Sequence, residues 1–138
     1  MNMKKNMLIF IVDDDSAYVK MLDIYLKKEI PDLTIQTFST GEACLHEMHQ
    51  DPDVIILDYF LNSEFPDAWD GMRVLKKLSG SHPYATTIML SSQQNIETAM
   101  DTINEGAYEY VIKNEKAFFK IKKIIQNLSE LIDETNEI

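Results

Sequence analysis

Cysteine is almost absent from this chain of 138 residues, which holds Cys44 alone. With no second thiol there is no internal disulfide and no cysteine-built zinc site, so Cys44 reads as a small buried side chain on a helix. Positive charge is scarce as well. Lys and Arg together number 13 against 23 Asp and Glu, a formal net charge of −10. That balance repels a phosphate backbone and removes direct nucleic-acid binding from the expected functions. No apolar run approaches the ~20 residues that a bilayer crossing needs, so no membrane partner is expected. The basic start, Met1-Asn2-Met3-Lys4-Lys5-Asn6, leads into an apolar run that breaks at once on Asp13-Asp14-Asp15. It therefore lacks the hydrophobic region and cleavage site of a secretory signal, and the expected location is cytoplasmic. Asn127-Leu128-Ser129 matches a glycosylation triplet, which in that compartment is an accident of helix composition. Linkers, repeats and low-complexity segments are missing too. What remains, 45% hydrophobic and 26% charged, is the composition of one ordinary globular domain over 1–138.

Short apolar runs alternate with longer helical patterns along the whole chain, the mark of βαβ units and a parallel sheet covered on both faces. Five such pairs are present. Strand 8–12 precedes a helix carrying Tyr18, Met21, Leu22 and Tyr25, which ends at Pro31. Thr34-Ile35-Gln36-Thr37-Phe38 alternates as a half-buried edge strand does, and Thr40-Gly41-Glu42 opens the next helix. The unbroken run 54–57 predicts a central strand, followed by an irregular stretch and a helix from Asp70-Gly71 with Val74, Leu75 and Leu78 inside. Ile88-Met89-Leu90 is the fourth strand, and the helix after Ser91-Ser92 carries Ile96, Met100 and Ile103 until Gly106 closes it. Residues 108–112 form the fifth strand. The last helix bears one stripe of Phe118, Ile121, Ile125, Leu128 and Ile132, and 129–138 reads as a helix extension or the start of a linker.

In an open α/β sheet, ligands sit beyond the carboxyl ends of the strands. Here those ends are Asp13-Asp14, Asp58, Ser91 and Lys113. Each alone is ordinary, since Asp and Ser cap helices and Lys ends exposed strands. Converging carboxylates, however, repel by ~4 kcal/mol per pair at 4 Å and an effective dielectric of 20, so they call for a cation. Mg²⁺, which favours carboxylates, a carbonyl, water and phosphate, suits Asp13, Asp14 and Asp58. Lys113 and the Ser91 hydroxyl supply donors for phosphoryl oxygens. Asp15 is left as a cap or outer residue. His46 and His49, at helical spacing near Cys44, read as solvated rather than metal-bound.

Leu8-Ile9-Phe10-Ile11-Val12-Asp13-Asp14-Asp15, Val54-Ile55-Ile56-Leu57-Asp58, Asp70-Gly71, Ile88-Met89-Leu90-Ser91-Ser92 and Tyr110-Val111-Ile112-Lys113 resemble, in order, the receiver domain of two-component response regulators. The resemblance covers essentially the whole chain. It implies a flavodoxin-like three-layer fold, a five-stranded parallel sheet of order 2-1-3-4-5 with five helices. It also implies that Asp58 is the phospho-acceptor, served by a histidine kinase, a phosphotransfer protein or a small acyl phosphate. Asp13, Asp14, Asp58 and the backbone carbonyl of Phe60 would hold Mg²⁺. Ser91 and Lys113 would contact the phosphoryl group, and Tyr110 would be a switch aromatic. A downstream protein target or output domain would read the state on the fourth helix, fifth strand and fifth helix. Such a domain is a phospho-acceptor rather than an enzyme, limited to self-phosphorylation and autodephosphorylation, and works as a monomer or a phosphorylation-dependent dimer.

Three departures from the pattern stand out. The segment after the acceptor is longer, with Asn62-Ser63-Glu64-Phe65-Pro66-Asp67-Ala68-Trp69 before Asp70-Gly71; it could screen the site, slow phosphoryl loss or bind a partner. Trp69 reads as packing that loop down. Phe60 and Gln93 occupy positions that tune dephosphorylation in the family. Asn114 follows Lys113 where the family carries a cis proline, so either strain is kept or the lysine loop is rearranged. Two alternatives belong beside this reading. One is a haloacid dehalogenase-like phosphohydrolase with Asp13 as nucleophile and Asp15 as acid/base, for which the chain is short. The other is a pseudo-receiver that binds protein without phosphorylation.

Overall fold

The computed structural model describes residues 6–137, with side chains described as far as residue 131. Five strands, β1 (Met7–Val12), β2 (Leu33–Phe38), β3 (Val54–Asp58), β4 (Thr86–Ser91) and β5 (Glu109–Ile112), alternate with α1 (Ser16–Glu29), α2 (Gly41–His46), α3 (Gly71–Ser81), α4 (Ile96–Asn104) and α5 (Ala117–Glu137). A single 3-10 turn, Met48–Gln50, follows α2. All pairings are parallel, in the order β2-β1-β3-β4-β5. The flavodoxin-like order that the resemblance implied is the one found.

Alternation along the central strands splits the core in two. Ile9, Ile11, Val54 and Ile56 point to one face, where Leu22 and Leu26 of α1 and Ile121 and Ile125 of α5 cover them. Phe10, Val12, Ile55 and Leu57 point to the other, against Cys44 of α2 and Val74, Leu75 and Leu78 of α3. Each such aliphatic side chain removed from water contributes roughly 1.5–3 kcal/mol, enough to hold the sheet rigid beneath its polar rim. Cys44 is fully buried, as its sequence context suggested. The α5 stripe is met by Phe118, Ile121, Ile125 and Leu128; Ile132 lies outside the described side chains.

Local signals place the elements. Asp15, Thr40, Asp70 and Asn95 each cap the helix that follows, their side chains accepting from Tyr18, Ala43, Arg73 and Thr98 N–H groups. Helix α4 ends in a Schellman pair, Gly106 N–H to Ile103 and Ala107 N–H to Thr102, with Gly106 at φ 114°. Ser91 ends β4, as expected, and residues 92–95 are not helical, so α4 begins only at Ile96. The apolar residues of α4 face outward: Ile96, Met100 and Ile103 are exposed, while Thr102 is the buried one. A helical period identifies a stripe but not which way it turns.

Candidate functional site

At the carboxyl ends of the strands, register brings the acids together. Val12 of β1 pairs with Leu57 of β3, so the residues that follow each, Asp13 and Asp58, emerge side by side. Asp13 and Asp58 are each only 3% exposed, and Asp14 is half-buried. One ligand oxygen from each of Asp13, Asp14 and Asp58 lies within 4.8 Å of the other two. Among the described residues this is the group of acids, histidines and cysteines with metal-holding geometry. His46 and His49 do not join one; the His49 ring sits 3.2 Å from the His46 carbonyl.

Each carboxylate is fixed by neighbouring N–H groups. Asp15 N–H donates to Asp13 Oδ1 at 2.9 Å, and Phe60 N–H to Asp58 Oδ1 at 3.3 Å. Asp14 Oδ2 accepts from the Glu64 N–H at 2.9 Å, so the long loop 62–69 reaches back over the site. The loop is tied at its far end as well: Trp69 N–H donates to the Glu42 carboxylate at 3.3 Å, and the Arg73 guanidinium stacks 3.8 Å from the Trp69 ring centre. Trp69 thus packs the loop down. Between loop and strand ends lies a cavity of about 660 Å³, bordered by Asp14, Asp58, Phe60, Ser63, Phe65 and Lys113.

Lys113 reaches this cluster from the end of β5. Its Nζ is 2.8 Å from Asp13 Oδ2 and 3.5 Å from Asp58 Oδ1. Burial works against its charge, but the hydrogen bond to Asp13 and the carboxylates of Asp58 and Asp13 outweigh it and hold the ammonium above its ordinary range. Asp58 is also shifted upward, in its case against the charged form. Burial, reinforced by the Asp13 charge, pushes its carboxyl up to about 7, with Lys113 and the Phe60 N–H only partly offsetting the effect. A carboxylate so strained is one that gains from a cation. Among the described residues no peptide bond is cis, the one between Lys113 and Asn114 included, and the Asn114 side chain accepts from Lys116 N–H at 2.9 Å.

Ser91 is fully buried, and its Oγ accepts from Gln93 N–H at 3.1 Å. Its neighbour Ser92, not Ser91, borders the cavity. Half-buried Tyr110 donates its hydroxyl to the Gln93 carbonyl at 2.7 Å. Gln93 therefore bridges the two residues expected to act as a switch. Sequence reasoning missed two contributors. Tyr18, taken for core, carries Lys113 Nζ 4.7 Å above its ring. Glu64 contributes through its backbone N–H, for which side-chain chemistry gives no sign. Asp15 is exposed and engaged as the α1 cap, which leaves it poorly placed for the acid/base role of a dehalogenase-like site.

Comparison with known proteins agrees with this geometry. The family described as the response regulator receiver domain matches residues 9–127. The DNA-binding transcriptional regulator NtrC of Escherichia coli (strain K12) is 27% identical over 107 residues, covering 77% of this chain and 21% of that protein. The nitrogen assimilation regulatory protein NtrX of Azorhizobium caulinodans is 30% identical over 106 residues, covering 76% and 22%. The chain thus spans about a fifth of the length of these relatives. Among solved structures, the receiver domain of NtrX from Brucella abortus superposes with a TM-score of 0.76 at 26% identity, over 88% of this chain and 98% of that one. A CheY-like receiver domain protein from Methanospirillum hungatei JF-1 shares the fold with a TM-score of 0.77 at 24% identity, over 94% and 99%.

Proposed function

The chain belongs to the response regulator receiver domains of two-component signalling, and from that premise we propose that Asp58 accepts a phosphoryl group from a histidine kinase, a phosphotransfer protein or an acyl phosphate. An oxygen of the Asp58 carboxylate attacks phosphorus in line, the bond from phosphorus to the donor nitrogen or oxygen breaks, and the electron pair leaves with the donor. The family implies Mg²⁺, and the donor set fits it: hard oxygen ligands, three mutually repelling carboxylates and a buried Asp13 Oδ2 that faces the Lys113 ammonium at 2.8 Å. Asp13, Asp14, Asp58 and the Phe60 carbonyl would hold it. When bound, the ion neutralises charge on the acids and on the equatorial phosphoryl oxygens.

The remaining work falls to the protein. Lys113 supplies a point charge to a phosphoryl oxygen, and the Ser91 hydroxyl, on leaving Gln93, donates to another. Because Tyr110 hangs on the Gln93 carbonyl, a shift of Ser91 reaches it through one residue. The exposed apolar side chains Ile96, Met100, Ile103, Tyr108 and Phe119 support a readout face on α4, β5 and α5 for a downstream protein or output domain. In this reading residues 1–138 act as one receiver unit, cytoplasmic like its kinase, turning over no substrate beyond its own phosphorylation and dephosphorylation. Among the described residues no helix is long and apolar enough to cross a membrane.

The observation that carries the proposal is the triad of carboxylates within 4.8 Å with one ammonium set between two of them. Intact-mass measurement after incubation with Mg²⁺ and acetyl phosphate tests it. Wild type gains one phosphoryl mass, and Asp58→Asn and Asp13→Asn do not. Gain by Asp58→Asn, or by no variant including wild type, refutes the assignment; the second result would mark a pseudo-receiver.

A further inference from the structure

Three groups hold the Lys113 ammonium, and the third belongs to no expected site residue. We propose that Tyr18 is the positioning residue for Lys113, its ring forming the floor that keeps the ammonium between Asp13 and Asp58. The inference rests on the reading above, in which Lys113 serves the phosphoryl group.

A lysine side chain is a flexible four-carbon stem, so two carboxylates on one side leave its height over the site undetermined. Nζ lies 2.8 Å from Asp13, 3.5 Å from Asp58 and 4.7 Å from the Tyr18 ring centre. That last distance is within cation–π range, and partial burial of Lys113, 18% exposed, strengthens such a contact. The ring is itself immobilised. Phe118 of α5 meets it edge-on at 5.3 Å and 74°, and Phe118 is braced in turn by Tyr25 at 5.4 Å. The backbone is fixed by the Asp15 cap, whose carboxylate accepts from Tyr18 N–H at 3.2 Å. The acidic run therefore does two jobs: Asp13 and Asp14 enter the cluster, and Asp15 orients the turn that carries the floor.

The hydroxyl is not what the site uses. Tyr18 Oη is buried and makes no hydrogen bond among the described residues. A ring-based role then predicts that Phe replaces Tyr and that an aliphatic residue does not.

The test compares wild type, Tyr18→Phe and Tyr18→Leu: the Lys113 ε-methylene proton shifts are read by NMR before acetyl phosphate is added, and the rate of phosphorylation is then measured with Mg²⁺ and acetyl phosphate. Expected are upfield-shifted Lys113 protons in wild type and Tyr18→Phe, ordinary shifts in Tyr18→Leu, and phosphorylation about five- to twentyfold slower in Tyr18→Leu alone. Ordinary Lys113 shifts in wild type overturn the inference, as does equal speed of Tyr18→Leu and wild type. A loss in Tyr18→Phe equal to that in Tyr18→Leu also overturns it, by moving the role to the hydroxyl. If Tyr18→Leu does not fold, the wild-type shifts and the Tyr18→Phe rate decide. Failure of the acceptor reading is separate and visible first, as absence of phosphoryl mass in wild type whatever the Lys113 shifts.

Discussion

Asp58→Asn should make the metal-free protein more stable, and only above a definite pH. The folded chain raises the Asp58 carboxyl from 3.8 to about 7, by burial first and the Asp13 charge second. The sign follows from linkage: the folded state binds the proton more tightly than the unfolded chain. Its contribution to stability is complete below about 3.8 and is lost as pH rises through about 7. A gap of about 3 pH units at 1.36 kcal/mol each is roughly 4 kcal/mol, and relaxation around the group brings the expectation to about 2–4 kcal/mol. Asn keeps the shape and an oxygen for the Phe60 N–H while removing the charge. For a domain of this size that is a rise of roughly 6–15 °C in Tm. Thermal unfolding of both proteins in EDTA from pH 5 to 8 measures it. The variant should lead at pH 8, the lead should shrink toward pH 5, and Mg²⁺ at ten times its dissociation constant should return roughly 1.4 kcal/mol to wild type. A difference in Tm that is flat across this range, or a variant less stable than wild type at pH 8, refutes the assignment of Asp58 as a carboxylate held at electrostatic cost.

Other perturbations test the surrounding geometry. Gly71→Ala should destabilise by about 2–3 kcal/mol or more and abolish phosphorylation, read by denaturant unfolding and intact mass. A Cβ there would stand 2.3 Å from the Asp58 carbonyl oxygen and 2.7 Å from Tyr59 Cα, both backbone atoms that cannot step aside. The Cys44 thiol, fully buried and pushed up to about 12 by burial, should resist a thiol reagent in the native state at pH 8 and react at once in denaturant. Rapid native labelling would contradict its burial. Arg73→Ala removes the cation stacked on Trp69 and should cost about 0.5–1 kcal/mol while making Trp69 emission easier to quench with acrylamide. Unchanged quenching would mean that Arg73 does not hold the loop base.

Much of this was readable in the chain because the signals were redundant. An unbroken apolar run at 54–57 suggests a central strand buried on both faces, and in the order 2-1-3-4-5 that the resemblance implied its terminal acid stands beside the acid that follows 8–12. What escaped reading shares a physical character. The Glu64 contact with Asp14 is made by a backbone N–H, a group every residue but proline owns. Ser91 and Ser92 are chemically alike, and only the strand's alternation decides which is buried in contact with Gln93 and which borders the cavity. Tyr18 sits in a stripe with Leu22 and Tyr25, where period alone cannot separate a core ring from a ring beneath a lysine. For α4 the stripe was legible, but its outward orientation was not, because a helical period does not say which way a stripe turns, and the residue buried on that helix is the polar Thr102.

If Asp58 is the acceptor, as proposed, charge at the rim dictates what phosphorylation would have to move. Among the described residues bordering the cavity Lys113 is the one cation, and it lies nearer Asp13 than Asp58. A phosphoryl group on Asp58 exchanges one negative charge for about two. At 4 Å and an effective dielectric of 20 each added charge attracts the ammonium by ~4 kcal/mol, comparable to everything Asp13 offers at similar range. The ammonium would then be drawn off Asp13 toward the phosphoryl oxygens, and since the Lys113 N–H is bonded to the Ser91 carbonyl at 2.8 Å, the ends of β4 and β5 would respond together. Ser91 has one hydroxyl and cannot both accept from Gln93 in its present pose and swing to donate into the site. In the proposed reading, release of Gln93 would loosen the anchor of Tyr110, which would place the first consequence of phosphorylation at the edge of the apolar face formed by α4, β5 and α5.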